Sequence, residues 1–541
     1  WGVPSQRTLW MLATVTLLPS LGLRWPWLLV MLLAGAIVTA FDPWALLQPG
    51  FWLSFVAVGL LMASAPMQPA LPSRAADAAD AADAADAAGA AGAAGAAGAA
   101  DAADAPGATR TVGATGAADG RGSVPPSRWR GWRRRVFAAL RDGLRTQVVA
   151  TLGLAPLTLV FFQQVSLVGF AANLIAIPVV TLVITPLALL GVLWAPWWSV
   201  AAWVVQQLNT ALGVLAALPG AVLSVPAAPL WAQLAGMFGA VLLVLPLPWR
   251  ARLLALPLLL PLLAPPRELP PVGAFELIAL DVGQGTAVLV RTRQHVLVFD
   301  AGPQYSPESD AGARVLVPLL KARGDTHIDR LVLSHRDLDH VGGARAVLGA
   351  LQVDEVSSSL EASHPLPALA RRSTRCADAQ AWDWDGVHFE MLRPRLQDYE
   401  RPAKSNAMSC VLRISGNRRS VLLTGDIERA QEAELVARVG PHLRSDVLVA
   451  PHHGSRTSSS AALLDAVQPR LAIFQAGYRN RFGHPAADVL ARYRERGIAI
   501  RGSPACGAWR WEVRGAPDGV CQRAAEPRYW RHAPPLNVEA G

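Results

Sequence analysis

The composition of the chain changes abruptly near Pro266. Before this point, runs of Leu, Val, Ala and Trp are broken by Pro and Gly, whereas charged residues and histidines reach ordinary globular density from Phe275 onward. A bilayer core of roughly 30 Å is crossed by about 20 apolar residues. With 541 residues, 52% of them hydrophobic, the chain is too long and too apolar for one soluble domain. We predict a polytopic α-helical membrane domain followed by a soluble domain with its own core.

Eight apolar segments are candidate membrane spans. They are Thr8 to Leu23, Pro26 to Phe41, Phe51 to Met67, Gln147 to Phe162, Leu167 to Trp194, Val200 to Leu218, Leu230 to Leu247 and Leu253 to Leu263. The fifth is longer than one straight span needs and contains Asn173, Pro178 and Pro186. It predicts either a broken or re-entrant helix or two short packed helices.

Charge predicts the orientation of these spans. Five arginines lie between Arg128 and Arg135, and such clusters remain on the cytoplasmic side. Counting four spans onward returns the chain to the cytoplasm at Arg250 and Arg252, so the short last span would place everything after Pro266 on the outer, periplasmic face. The cluster has the alternative interpretation of a contact with nucleic acid or anionic lipid.

Four regions follow from these patterns. They are transmembrane helices at 1–73, a low-complexity Ala/Asp/Gly linker at 74–127, further transmembrane helices at 128–266 and the soluble domain at 273–541. The linker offers no large apolar side chain for a core. Because the chain starts at Trp1 within apolar sequence, we expect that an N-terminal region is missing.

A short motif in the soluble domain predicts a metal site. His335, Asp337, Asp339 and His340 lie within six residues, directly after an apolar run typical of a β-strand. Imidazole nitrogens and carboxylate oxygens are metal ligands, and four of them in one loop can converge on two cations. A solvated polar loop is the alternative interpretation.

Other polar residues also follow apolar β-like runs. Asp281, Asp300, Asp426 and His452 each come just after such a run. Carboxylates at strand ends commonly hold loops or metal ligands in place. We therefore expect these residues and the His335 motif to meet at one pole of the domain.

These motifs carry a resemblance to a known family. The soluble part resembles a metallo-β-lactamase-fold hydrolase, an α/β sandwich of the αββα type, and specifically the C-terminal domain of the ComEC family of competence proteins. Residues 41–55 and 161–178 are similar to that family's membrane signatures. Relative to the family, early spans and an OB-like periplasmic domain are missing.

The resemblance implies a function. It implies a multi-pass inner (plasma) membrane channel that takes up DNA in natural transformation, with an outer-face nuclease that degrades the strand not transported. The sequence has no Gly-Lys-Ser/Thr phosphate-binding motif. A cytoplasmic helicase-like ATPase and a periplasmic DNA-binding protein are therefore expected partners. The net charge of +9 suits DNA, although basic loops also mark topology.

Carried over by position, the resemblance also implies a site. The metal ligands are His335, Asp337, Asp339, His340, Asp426 and His452, with Asp339 also at the catalytic centre. Asp337 stands where most of the superfamily has histidine, so two divalent ions are expected, with Mn²⁺ favoured and Mg²⁺ or Zn²⁺ possible. His453 is a ligand or a proton donor. The superfamily's middle histidine has no counterpart, and Asn406 is the nearest polar substitute.

Further residues complete the expected site. Ser455, Arg456 and Thr457 are expected to contact a DNA phosphate, and Asp281, Asp300 and Asn406 to support the ligands. His484 is a second candidate proton donor, or alternatively orders a Gly-Pro turn. Five further histidines lack ligand-like neighbours and are expected to be ordinary surface or packing residues: His295, His327, His364, His388 and His442. Because the middle histidine is lost, the alternative function is a DNA channel whose soluble domain binds DNA or metal without hydrolysis.

All four cysteines lie in the soluble part, at 376, 410, 506 and 521. An outer-face location permits disulfides. Cys506 and Cys521 flank an apparent hairpin around Trp509, so we predict that they pair, with two unrelated thiols as the alternative.

Overall fold

The computed structural model describes residues 3–23, 25–64, 128–400 and 403–528. Its contacts divide the chain into two compact units, one of Trp1–Leu223 with Leu230–Leu262 and the other of Ser224–Pro229 with Leu263–Gly541. The predicted low-complexity linker at 74–127 lies outside the described residues. Each unit is considered by itself below.

The first unit is helical, as predicted. Its helices, in the part of the chain that is described up to Leu263, are α1 (Val3–Ser20), α2 (Trp27–Phe41), α3 (Pro49–Ser64), α4 (Arg128–Phe162), α5 (Gly169–Val179), α6 (Thr185–Leu193), α7 (Pro196–Ala216), α8 (Leu230–Val244), α9 (Trp249–Arg252) and α10 (Ala255–Leu263). Two short strands, β1 (Gln164–Ser166) and β2 (Val222–Ser224), pair with each other. Among the residues that the structure describes, three segments are long and apolar enough to cross a membrane: Gly143–Phe162, Gly169–Leu193 and Pro196–Ala216.

The long apolar segment at 169–193 forms one continuous helical run. A π-helical turn at Val180–Ile184 joins α5 to α6, and the Thr185 hydroxyl donates to the Val180 carbonyl at 2.9 Å. Pro178 and Pro186 lack the N–H that an α-helix uses, which is a common cause of such local irregularity. Of the predicted forms, the structure shows an α-helix interrupted by a π-helical segment, and neither a re-entrant turn nor two packed helices is found at 169–193.

The expected last span is also different. Helix α10 has 9 residues, which rise roughly 14 Å and cover less than half of a bilayer core. The helix cannot cross a membrane by itself. The outer-face location of the second unit, which was counted through this segment, stays a prediction.

The second unit is built on two β-sheets. Its strands are β3 (Glu276–Ala279), β4 (Val288–Arg291), β5 (Val296–Phe299), β6 (Gln304–Ser306), β7 (Ser309–Asp310), β8 (His327–Leu333), β9 (Gln352–Ser358), β10 (Arg372–Arg375), β11 (Ala381–Trp384), β12 (Val387–Arg393), β13 (Val411–Gly416), β14 (Arg419–Leu423), β15 (Val447–Val449), β16 (Leu471–Phe474), β17 (Ala499–Gly502), β18 (Trp509–Glu512) and β19 (Val520–Cys521). Within the described residues, sheet 1 has the order β10-β9-β8-β5-β4-β3-β18-β19 and sheet 2 the order β11-β12-β13-β14-β15-β16-β17.

Helices cover the outer faces of the two sheets. In the described ranges they are α11 (Val317–Arg323), α12 (Leu338–Val341), α13 (Ala344–Ala350), α14 (Arg429–Val439), α15 (Ala461–Val467), α16 (Ala487–Glu495), α17 (Ser503–Cys506) and α18 (Gln522–Ala525). Helices α11 and α13 pack on sheet 1, whereas α14, α15 and α16 pack on sheet 2. The predicted αββα sandwich is therefore confirmed.

Burial on both faces explains the apolar runs that the sequence shows. In β14, Val421 and Leu423 point into the core between the sheets, while Leu422 points to the helices outside. A strand buried on both sides needs apolar residues at every position rather than at alternate ones. Strands β14 to β17 are parallel, as are β5, β8 and β9, so their carboxyl ends gather at shared edges.

We expect Trp511→Ala to destabilise the second unit by about 3–5 kcal/mol, because it removes a large side chain from the core between the sheets. Trp511 is 1% exposed and packs edge-on against Phe275, with ring centroids 5.8 Å apart. Pulse proteolysis of the full chain in urea measures the change. The control Leu396→Ala, at a side chain 66% exposed, should change stability by no more than about 0.5 kcal/mol.

Candidate metal centre

A buried carboxylate at the end of β5 organises the site. Asp300 has a positive φ of 56° and is fully buried. Its Oδ1 accepts the Ser334 backbone N–H at 2.6 Å, and its Oδ2 accepts the Ser334 hydroxyl at 2.7 Å. The same Oδ2 lies 2.7 Å from His340 Nδ1. Asp300 thus fixes the loop after β8 and holds the His340 proton on Nδ1, which leaves Nε2 free to face the site.

Four side chains form a compact group of ligand atoms. One donor atom each from Asp339, His340, Asp426 and His453 lies within 4.8 Å of the others. His453 Nδ1 lies 2.8 Å from the Gln475 carbonyl and donates to it, so its Nε2 is also free. This Nε2 lies 3.2 Å from Asp339 Oδ2 and 3.6 Å from Asp426 Oδ2. The four residues come from three segments, namely α12 and the loops after β14 and β15, and meet only in the folded domain.

The geometry of the two imidazoles tests whether a cation fits. The Nε2 atoms of His340 and His453 are 3.3 Å apart. With both Nδ1 atoms donating to oxygen, two nitrogen lone pairs point toward each other, and only a proton or a cation between them relieves the repulsion. Oxygen and nitrogen donors of this kind suit divalent ions. The group therefore fits a metal ion.

A second set of candidate ligands, His335 and Asp337, also lies near Asp426. His335 Nε2 lies 3.5 Å from Asp337 Oδ2 and 4.0 Å from Asp426 Oδ2. This nitrogen is buried and has no hydrogen-bond partner among the residues that the structure describes. An unpaired buried polar atom is costly, so its position indicates a missing ligand contact. The Asp426 carboxylate thus lies within 4.0 Å of imidazole nitrogens in both sets.

The adjacent histidines 452 and 453 point to different places. Both have left-handed backbone conformations, with φ of 51° and 54°. Such conformations are strained for residues other than glycine and often occur at functional sites. His453 enters the compact group, whereas His452 Nε2 lies 3.7 Å from Asp426 Oδ2 and 3.4 Å from Asn406 Nδ2. The turn thus directs the His453 ring into the compact group and the His452 ring toward Asn406.

The segment that carries Asn406 and Ser409 also positions the backbone of Asp426. The Asp426 backbone N–H donates to the Ser409 hydroxyl at 3.0 Å. A Cβ on Gly425, whose φ is +53°, would lie only 3.0 Å from Ser409 Cβ and 3.1 Å from Ser334 Cβ. Glycine before Asp426 therefore allows the two ligand loops to approach each other.

Charges within the group shift its titration. Burial opposes the charged form of His340, but Asp426 and Asp300 raise the pKa of His340 well above its ordinary value. Burial likewise opposes ionisation of Asp426, yet His340 and His453 hold the pKa of Asp426 well below its usual range. Cations bound here would replace these protons, so metal affinity is expected to rise with pH.

Comparison with known proteins agrees with this arrangement. The model of the competence protein family matches residues 1–103 and 117–250, and that of the metallo-β-lactamase superfamily matches residues 280–477. The chain joins a competence-protein domain to a metallo-β-lactamase domain. The predicted resemblance to the ComEC family is confirmed, and the metallo-β-lactamase fold implies that divalent metal is bound.

Three similar proteins illustrate the match. The chain is 36% identical over 349 residues to Competence protein ComA of Neisseria gonorrhoeae, covering 64% of this chain and 48% of that protein. It is 31% identical over 376 residues to Uncharacterized protein YcaI of Escherichia coli (strain K12), covering 67% and 47%. The metallo-β-lactamase fold protein YhfI of Bacillus subtilis is 12% identical, with a TM-score of 0.30 over 44% of this chain and 99% of that one. The chain spans about half the length of the two curated relatives.

Not all of the predicted supporting residues reach the ligands. Asp281 instead accepts from Arg523 at 2.8 Å and from the Gly283 N–H at 3.4 Å, so it holds the glycine turn after β3. The ring of His484 stacks against Phe482 with centroids 5.7 Å apart and lies 6.4 Å from the ring of His453. Burial and then the charges of His453 and His452 lower the pKa of His484 to about 4. A neutral imidazole at pH 7 is a weak proton donor.

The predicted phosphate contacts lie beside His452. The Thr457 hydroxyl is 3.2 Å from His452 Nδ1 and donates to Glu428 at 3.0 Å, while Ser455 Oγ lies 3.2 Å from Thr457 Oγ1. Arg456 is largely exposed, with its Nε 3.6 Å from Asp488. Of these residues, Arg456 is therefore the one most open to a phosphate.

The structure contains two disulfides among its described cysteines. Cys506 and Cys521 are joined, and so are Cys376 and Cys410, a pair that the sequence did not reveal. The Cys410 N–H donates to the Ser334 carbonyl at 2.9 Å, so this second disulfide anchors the segment that carries Asn406 and Ser409.

Most histidines expected to be ordinary do form surface ion pairs. His327 Nε2 lies 2.8 Å from Asp354, His388 Nδ1 3.0 Å from Asp383 and His442 Nε2 2.8 Å from Glu390. With Asp329, the first pair makes a partly exposed cluster at the amino end of β8, away from the metal centre. The imidazole and carboxylate groups of this cluster already contact one another, so nothing indicates that they hold a metal ion.

We expect Asp300→Asn to weaken binding of Mn²⁺ by about 10–100-fold, although Asp300 is not itself a ligand, because the partner of a coordinating histidine sets its orientation and basicity. Titration of the purified full chain, followed by electron paramagnetic resonance of free Mn²⁺, measures the change. The matched control is Asp383→Asn, which alters an Asp–His pair at a carboxylate 70% exposed. Equal affinities in the two variants would contradict the assigned role of Asp300.

Proposed function

We propose that this protein forms part of an inner-membrane channel that takes up DNA in natural transformation, and that its second unit hydrolyses the strand that is not transported. The competence-protein domain and the likeness to Competence protein ComA support the uptake role. The observation that carries the enzymatic role is the compact group of Asp339, His340, Asp426 and His453. Location of this unit on the periplasmic face, a periplasmic DNA-binding partner and a cytoplasmic ATPase belong to the same proposal.

A basic groove beside the metal centre fits a phosphodiester substrate. Its volume is about 620 Å³, and its lining includes three cationic residues, Lys404, Arg429 and Arg456, against two acidic ones, Glu428 and Asp488. The Lys404 side chain forms no hydrogen bond or ion pair within the described ranges, whereas the Arg429 guanidinium donates to the Arg456 carbonyl at 2.9 Å. Cationic side chains position nucleic-acid backbones without reading sequence. A strand lying here would bring successive phosphates up to the ligands.

The residues of the chain have separable tasks in hydrolysis. Divalent ions at this centre would supply positive charge to the phosphoryl oxygens and a water of lowered pKa. Asp300 and the Gln475 carbonyl orient His340 and His453, and Ser409 holds the backbone of Asp426. Since both ring nitrogens of His453 are engaged in this arrangement, its position supports the ligand role over the proton-donor role.

We expect the full chain in detergent to cut end-labelled DNA in the presence of Mn²⁺, and Asp339→Ala combined with Asp426→Ala to reduce the rate by about 100-fold or more, because the ions lose their shared carboxylates. Parallel reactions with Mg²⁺, Zn²⁺ and EDTA identify the ion. His442→Ala, at a side chain 58% exposed, is the control and should cut normally. A folded, metal-loaded parent that leaves both single- and double-stranded DNA intact would rule out the nuclease.

Asn406 favours a second candidate function, a channel whose soluble unit binds DNA or metal without cutting. Asn406 lies 3.4 Å from His452, at the place where the superfamily has its middle histidine. An amide is a poor metal ligand compared with imidazole, so the ion on this side is held by fewer strong donors. The two candidates differ in whether that ion is needed for the reaction.

Asn406→His should raise Zn²⁺ affinity by about tenfold, because a nitrogen donor is added next to His452. Calorimetric titration gives affinity and stoichiometry, and Asn406→Ala controls for loss of the amide. If the parent does not cut DNA and the histidine variant does, the binding-only candidate is correct. If the parent cuts and the substitution changes only its metal preference, the nuclease candidate stands.

A further inference from the structure

A second basic groove lies at the opposite ends of the strands from the metal centre. Five arginines line it, at 413, 418, 419, 444 and 470, together with three serines, one glycine, one glutamine and a single acidic residue, Asp446. Its volume is about 630 Å³. The arginines lie at the amino ends of β14 and β16, just before β15 and in and just after β13. Measured along β14 and the loop that follows it, Asp426 is roughly 20 Å from Arg419.

The positive charge of this groove is only partly compensated. Arg419 lies 3.3 Å from Asp446, and Arg470 pairs with Asp518. The Arg413 guanidinium is partly buried, donates to the Arg444 carbonyl at 3.3 Å and leaves its Nε without a hydrogen-bond partner in the described chain. Arg413 forms no ion pair within 4 Å in the described chain, so its partly buried charge leaves room for an anion in the groove. Burial lowers the pKa of Arg413 despite the nearby charges of Glu390 and Asp446.

The backbone at Arg418 gives an independent observation. Asn417 and Arg418 form the two-residue turn between β13 and β14, with φ of 47° and 63°. Turns with two positive φ values favour glycine at the second position. Arginine here is strained and exposed, and strain that stability does not require is typical of functional positions. Its side chain extends the basic rim of the groove.

The chemistry of the lining selects the kind of anion. The residues are Arg, Ser, Gly, Asp and Gln, so the groove offers hydrogen-bond donors but no apolar or aromatic side chain. Binding to a lipid surface draws on inserted apolar residues, and recognition of bases draws on aromatic stacking. Guanidinium groups without either feature suit the phosphates of a nucleic-acid backbone.

We propose that this groove, which we name the arginine groove, binds the phosphate backbone of single-stranded DNA at a second point remote from the metal centre. The proposal rests on the proposed function, since it assumes that DNA is the substrate. A strand held at both poles of the domain would be kept on the protein between successive cleavage events. The groove would act without regard to base sequence.

The test is binding of a fluorescein-labelled oligo(dT) of 30 nucleotides to the full chain in phosphatidylcholine nanodiscs, with EDTA present to prevent cutting. Arg418→Gly combined with Arg444→Ala removes two charges, and the glycine relaxes the turn, so folding should be preserved. We expect affinity at 150 mM salt to fall about tenfold or more, and the salt dependence to decrease by about 1.4 in log–log slope, the value for two phosphates of a single strand.

The matched control is Arg345→Ala combined with Arg371→Ala, two exposed arginines outside both grooves. It changes net charge equally and should alter affinity by less than about twofold if general charge is unimportant. Equal binding by parent and groove variant, equal losses in groove and control variants, or no oligonucleotide binding by the parent would overturn the proposal. The same binding measurement is repeated in nanodiscs that contain phosphatidylglycerol. If the groove substitutions change oligonucleotide binding only when this anionic lipid is present, the groove is a lipid site instead.

Failure of the nuclease and failure of the arginine groove are distinguishable. A parent that binds oligo(dT) through Arg418 and Arg444 but never cuts retains the groove and loses the proposed hydrolysis. A parent that cuts with Mn²⁺ and binds equally well without these arginines retains the hydrolysis and loses the groove. The Asp339→Ala and Asp426→Ala protein should keep its groove-dependent affinity in EDTA.

Discussion

The metal centre depends on one buried carboxylate. The fully buried Asp300 carboxylate accepts hydrogen bonds from the Ser334 backbone N–H, the Ser334 hydroxyl and the His340 ring, each within 2.7 Å. A buried charge is tolerated only where its hydrogen bonds are complete. Since β5 ends at this point and β8 runs parallel beside it, the carboxylate fastens the ligand loop to the sheet. Without it, neither the tautomer of His340 nor the path of residues 334–340 would be defined.

The sequence predicted the parts of the site that depend on local pattern. Apolar runs followed by Asp300, His335 and Asp426 indicated strand ends, and parallel strands bring such ends together. The choice between His452 and His453 was not accessible, because it depends on two left-handed residues that rotate the rings apart. The π-helical turn at Val180–Ile184 and the shortness of α10 were also missed, since hydropathy reports the apolar character of a segment but not its helical register or continuity.

Long-range contacts account for the other differences. Nothing near Cys376 in the sequence indicates Cys410, and the two meet because β9, β10 and β13 converge beside Ser334. The arginine groove likewise combines residues of β13, β14 and the turn between them with residues of the segments that precede β15 and β16. Asp281 was expected near the ligands because it follows β3, yet Arg523 draws it toward the C-terminal segment. A strand end predicts the pole of a residue but not the direction of its side chain.

Gln475 links the metal centre to the association of the two sheets. It ends β16 in sheet 2, and its side-chain amide donates to the Leu280 and Ala287 carbonyls of sheet 1 at 2.8 and 2.9 Å. Its own carbonyl accepts from His453. Any sliding of one sheet over the other must therefore move a ligand, and by thermodynamic linkage an ion on His453 must resist that sliding. A bound ion would then stabilise the packing of sheet 1 against sheet 2 in addition to its part in the chemistry.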